Sequence, residues 1–194
     1  MKHCINRNSK VFKFALTFII ISLLTGIVLY LNLNKETKDL IMNSLLTLND
    51  NLKDVRQNNV IYHLFIMSSF VLLSLTLFLY PLTLFYIFYE ILSFGFVLAY
   101  YGCVFNIGGI IYELIYFLIN KALFLLVLIY ISIISYKLIK KILKSLINKE
   151  NISVSELYSN FFKKILICSA FILITDIFVY FFGNKILSLF QFLL

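Results

Sequence analysis

From Val60 to Tyr112 the chain carries a single formal charge, Glu90, and its only proline, Pro81. A soluble domain does not bury so long an uncharged run, and one membrane crossing needs only about 20 apolar residues. The run therefore reads as two crossings, about Val60–Tyr80 and Leu82–Gly102, joined by a turn at Tyr80-Pro81-Leu82. Proline fixes φ, lacks an N–H and disfavours helix in the residue before it, so a break is expected there. Charged residues make up 13% of the chain, against roughly 25% in ordinary soluble domains, and mean hydropathy is +0.98. The expected fold is all-α: a polytopic membrane helix bundle of about five transmembrane helices, forming one integral membrane domain over residues 1–194.

The flanking segments supply the other crossings. A leader with Lys2, Arg7, Lys10 and Lys13 precedes the apolar run Phe14–Leu31. That order matches a signal peptide, but the run is long and ends in Tyr30-Leu-Asn-Leu-Asn34 rather than a small-x-small cleavage site, so it reads as a retained crossing. Residues 32–59 balance bases against acids, and Leu40, Ile41, Leu45, Leu46, Leu48, Leu52 and Val55 recur at near-helical spacing. This predicts an external amphipathic helix lying on the membrane. Asn106-Ile107-Gly108-Gly109 reads as a short turn. Residues 110–137 fit either one tilted helix or a re-entrant half-helix, Ile110–Ile119, followed by a second segment from Ala122.

Residues 137–164 form a basic cytoplasmic segment with Lys137, Lys140, Lys141, Lys144, Lys149, Lys163 and Lys164. Within it, Ser153-Val-Ser-Glu156 has capping-box spacing. The last crossing is about Ile165–Phe182. Gly183-Asn184-Lys185 is expected to end it, leaving Ile186–Leu194 in the interface. Basic flanks stay on the cytoplasmic side. The N-terminus is therefore placed inside, 32–59 outside, Pro81 inside, 103–109 outside, 137–164 inside and the tail outside. The net charge of +8 is explained by these loops and by anionic lipid, with no need for nucleic acid.

Three ionisable residues, Glu90, Lys121 and Asp176, fall near mid-depth, roughly 12 to 17 Å into a ~30 Å core. An unpaired charge there costs at least about 2.5 to 3.5 kcal/mol, so these side chains face the bundle interior, and Lys121 pairs with Glu90 or with Asp176. Such a group serves a proton or ion pathway, or it is a buried pair that fixes helix register, or its acids are simply protonated. Glu113 lies nearer the outer edge and is poorly placed to pair with Lys121 along a helix. His3 and His63 stand isolated in the sequence. Cys4, Cys103 and Cys168 match no metal or redox spacing. Gly95, Ala99 and Gly102 make a close-packing stripe, expected to serve internal packing. No hydrolase, nucleotide-binding or zinc motif is present, and Ser68, Ser69 and Ser132 fit as helix–helix hydrogen-bonding residues. The chain thus reads as a non-enzyme with no cofactor and no metal.

Several short patterns recur in order: Phe14-x-x-x-Phe18 with Gly26, Lys38-Asp39-Leu40, Tyr80-Pro81-Leu82-x-Leu84-x-x-Phe88, Gly95-Phe96, Ile177-Phe178-Val179-Tyr180 and Asn184-Lys185-Ile186-Leu187. In these the chain resembles stage II sporulation protein M, a family of bacterial multi-pass membrane proteins. It departs from the family pattern at Ile91, where a glycine is usual, and at Ile119-Asn120-Lys121, where a proline is usual. The resemblance implies a non-catalytic scaffold in the bacterial cell membrane. Such a scaffold gathers two peptidoglycan-degrading partners, stage II sporulation proteins D and P, for septal wall remodelling and engulfment. The competing expectation is a membrane component of a transporter that uses buried Glu90, Lys121 and Asp176.

Overall fold

The structure, a computed structural model, describes residues 2–49, 52–73, 79–148, 154–190 and 192, and among these it is built of helices with no strand. The elements are α1 (Lys2–Leu31), α2 (Lys35–Asn49), α3 (Leu52–Leu73), α4 (Leu79–Asn120), α5 (Ala122–Asn148) and α6 (Val154–Ser188). The Ser153 capping box lies outside the described residues, as do the side chains of the basic leader and of Leu45, Leu46, Leu48, Leu52 and Val55. Three stretches, Tyr80–Asn120, Ala122–Ser145 and Ser155–Gly183, are long and apolar enough to cross a membrane. Leu16–Leu31 together with Lys35–Ile41, bent by 109°, raises the number to four.

α4 reverses direction inside its own length. Asn106 has φ 57° and ψ −141°, a conformation that L-residues other than glycine rarely adopt. A straight helix would separate Phe94 from Phe117 by about 34 Å, at 1.5 Å per residue. Their rings instead stack at 4.0 Å, and Tyr101 and Tyr112 lie 6.0 Å apart. α4 is therefore an antiparallel helical hairpin, with arms 79–105 and 107–120. Gly109 lets the arms meet, because a Cβ there would collide with the carbonyl oxygen of Tyr101. The second arm continues into α5. The Lys121 N–H donates to Phe117 O and the Leu125 N–H to Lys121 O, both at 2.9 Å, and further down Tyr136 rests 5.4 Å from Tyr80. Residues 107–136 thus follow one course beside the first arm, with a hitch at Asn120-Lys121, and no re-entrant loop forms.

α1 packs parallel to the first arm of α4, with Phe18 beside Phe88 at 5.9 Å and Tyr30 against Phe96 and Tyr100 at 5.3 and 6.1 Å. Two glycines set the closeness of this seam. A Cβ on Gly26 would overlap Leu92 O and stand 2.9 Å from Phe96 N, and one on Gly95 would overlap Leu23 O. Backbones that approach this closely gain van der Waals contact, the main force between helices in lipid. Gly102 faces the Ile110 side chain of the returning arm, so the Gly95, Ala99, Gly102 stripe serves two neighbours within the chain. Across the bundle, Ile66 and Phe70 of α3, Leu128 and Ile131 of α5, and Ile165 and Ile172 of α6 form the buried core, with Ile87 and Ile91 of α4 beside them.

Two expected breaks are corrected. Pro81 is not itself a turn but stands in the first turn of α4, where the N–H it lacks has no intrahelical partner to lose. Gly183 does not end α6, which runs on to Ser188. A mid-helix glycine costs only about 1 kcal/mol relative to alanine. Between α1 and α2, Asn34 stands just before the helix start, and its carbonyl accepts the Lys38 N–H at 3.0 Å. The Lys38 ammonium reaches back to the carbonyl of Leu31 at 2.9 Å and lies 5.3 Å from the Tyr30 ring centre. It thereby satisfies a carbonyl at the α1 C-terminus.

Candidate functional site

Three helices, α3, α4 and α6, and the hitch at Lys121 bring their ionisable side chains to one level. Glu90, on the first arm of α4, is 3% exposed. Both of its carboxylate oxygens are occupied: the Tyr62 hydroxyl donates to Oε1 at 2.9 Å, and Lys121 Nζ donates to Oε2 at 2.8 Å. The antiparallel hairpin accounts for the second contact, since it returns Lys121 to the level of Glu90. Lys121 stands at the α4–α5 hitch and keeps 28% of its side chain exposed, so its stem is packed while its head bridges the arms.

The neighbour of Tyr62 on α3 makes a second pair. His63 Nδ1 lies 2.9 and 3.1 Å from the two carboxylate oxygens of Asp176 on α6. A carboxylate can only accept, so Nδ1 carries the hydrogen. The imidazole also stacks on Phe124 of α5, with centroids 3.9 Å apart and planes 19° from parallel. Asp176 therefore pairs with His63, and Lys121 belongs to Glu90 alone. The expectation that His63 stands isolated is corrected: the residue is 4% exposed and bonded to Asp176. Sequence reasoning missed it because its partner is far away in the chain and no local spacing joins the two.

Tyr62 and His63 are consecutive on α3 and tie that helix to α4 and α6 at once. Beside His63, between α3 and α6, lies a cavity of about 390 Å³ lined by Leu64, Met67, Leu72 and Ile172 among others. Its two hydroxyls are turned to their own helix, Ser68 to Phe65 O and Ser169 to Ile165 O, each at 2.8 Å. The cavity thus presents hydrocarbon and no polar ligand set. Among the described residues no group of three or more His, Cys, Asp or Glu side chains is arranged to hold a metal. Cys103 is exposed and Cys168 buried, both as free thiols.

The third buried acid, Glu113, lies on the returning arm and is 5% exposed. Chemically, the level of Glu90 and Asp176 is a set of closed donor–acceptor pairs rather than an open nucleophile or acid–base couple aimed into a substrate cleft. No known protein family, no curated protein and no solved structure matches the chain.

Proposed function

We propose that this chain is a non-catalytic membrane scaffold of the stage II sporulation protein M kind. It crosses the bacterial cell membrane five times, with its N-terminus inside and its C-terminus outside. It gathers membrane-anchored peptidoglycan-degrading partners, by resemblance stage II sporulation proteins D and P, for septal wall remodelling and engulfment. The observation that carries this reading is where the resembling residues meet. Phe18, Gly26, Phe88, Gly95 and Phe96, taken from three separate patterns, all lie along the single α1–α4 seam. Residues that build one close interface are the ones a shared bundle would keep.

The directions of the helices support five crossings. α1 and the first arm of α4 run parallel, as a first and third crossing must. The arm turns back at Asn106, so the returning arm with α5 serves as the fourth. The 109° bend between α1 and α2 lays α2 along the surface if α1 crosses, where its exposed Leu40 meets lipid or a partner. Reporter fusions after residue 50 should read outside, and fusions near 150 inside. Co-purification from cells expressing the hydrolases should recover them with this chain, and their absence would sink the scaffold reading.

The buried acids Glu90 and Asp176, with the half-buried Lys121, favour a second reading, a transporter component. Recovery of a cytoplasmic ATPase, with uptake lost in Glu90→Gln while the protein still inserts, would support it. Against it stands the closed pairing of these residues within the chain.

A further inference from the structure

The three buried acids differ in one respect. Glu90 has a lysine and a tyrosine on its two oxygens, and Asp176 has a histidine. Glu113, equally buried, has neither a hydrogen bond nor an ion pair among the described residues. The groups around it are phenols and one distant cation. Tyr101 faces it from the first arm of α4, within electrostatic reach. Tyr112 and Tyr116 flank it on its own arm. Lys121, whose field also reaches it, has its ammonium on Glu90. An ionised carboxylate in such a place lacks both water and a counter-ion, and a carboxyl so placed takes up a proton instead.

We propose that Glu113 is a proton-binding site: its carboxyl is neutral in the folded bundle, and it alone of the three acids loads and unloads a proton without dismantling a pair. It lies about two helical turns beyond the Asn106 bend. Proton exchange there acts on the packing of one hairpin arm against the other, because the ionised form must draw in water or part the arms. This holds whether the chain is a scaffold or a transporter component, since it rests on the hairpin alone.

The test is labelling of the full chain in liposomes with dicyclohexylcarbodiimide, an apolar reagent that attacks protonated carboxyls. The acid proton moves to a carbodiimide nitrogen, and the carboxyl oxygen bonds to the central carbon. The acyl group then migrates to nitrogen, leaving a stable N-acylurea that peptide mass spectrometry locates. Label is expected at Glu113 severalfold above Glu90, whose two carboxylate oxygens are already bonded to Tyr62 and Lys121. It should fall as the pH is raised through the titration of Glu113. Equal labelling of Glu90 and Glu113, no label at Glu113 across the pH range, or label independent of pH would overturn the proposal. A second readout needs no reagent. The infrared C=O band of a protonated carboxyl should vanish in Glu113→Gln and persist in Glu90→Gln, and the band surviving in Glu113→Gln would equally refute it.

Discussion

Replacing Lys121 by Met tests the central pair. Glu90 would keep the Tyr62 hydroxyl on Oε1 and lose the ammonium from Oε2. Removing one member of a fully buried ion pair costs about 3 to 5 kcal/mol, because the other charge is stranded. Lys121 retains 28% exposure on its side chain, so water already shares its solvation. That reduces the loss, to about 2 kcal/mol. The double variant Glu90→Gln/Lys121→Met strands no charge and should lose less than Lys121→Met alone. Unfolding of the four proteins in mixed micelles, at one neutral pH, closes a double-mutant cycle. A coupling energy of about 1 to 2 kcal/mol is expected, and a value below about 0.5 kcal/mol, where independent sites add, would refute the stranded-charge argument.

Gly26→Val and Gly95→Val should each cost about 1 to 3 kcal/mol or more, since the new Cβ meets Leu92 or Leu23 backbone that cannot swing aside; a wild-type melting profile would contradict the seam. Asn106→Gly should stabilise by about 1 kcal/mol by relieving the positive φ, and Asn106→Val should destabilise, measured in the same assay. His63→Ala leaves Asp176 without its donor and should cost about 1 to 3 kcal/mol, whereas Pro81→Ala in the first turn of α4 should cost less than about 1 kcal/mol.

The helical character of the chain, with three or four helices apolar enough to cross a membrane, is legible in composition and run length, because lipid leaves only a self-satisfied backbone as an option. The turn at Asn106-Ile107-Gly108-Gly109 is also legible, since an asparagine, which tolerates positive φ, close to two glycines marks a turn. The need of Glu90, Lys121 and Asp176 for partners follows from the cost of a charge in hydrocarbon. Their partners do not follow. Lys121 had two acids to choose between, and the choice depends on the hairpin's register. The position of Pro81 was misread because proline suits the start of a helix as well as its end. The place of Gly183 was misread because glycine weakens a helix without breaking it.

What the sequence by itself determined is that the chain holds stretches apolar enough to cross a membrane and which stretches are helices, since hydropathy and backbone hydrogen bonding are local properties. Only the tertiary structure decided that Gly26 and Gly95 share one seam, that His63 closes on Asp176, and that Glu113 has no hydrogen bond or ion pair among the described residues. Each of these depends on which helix faces which and in what register. Apolar side chains that pack almost equally well against many neighbours do not encode that choice locally; the close glycine contacts and the few buried charges do, once the helices are brought together.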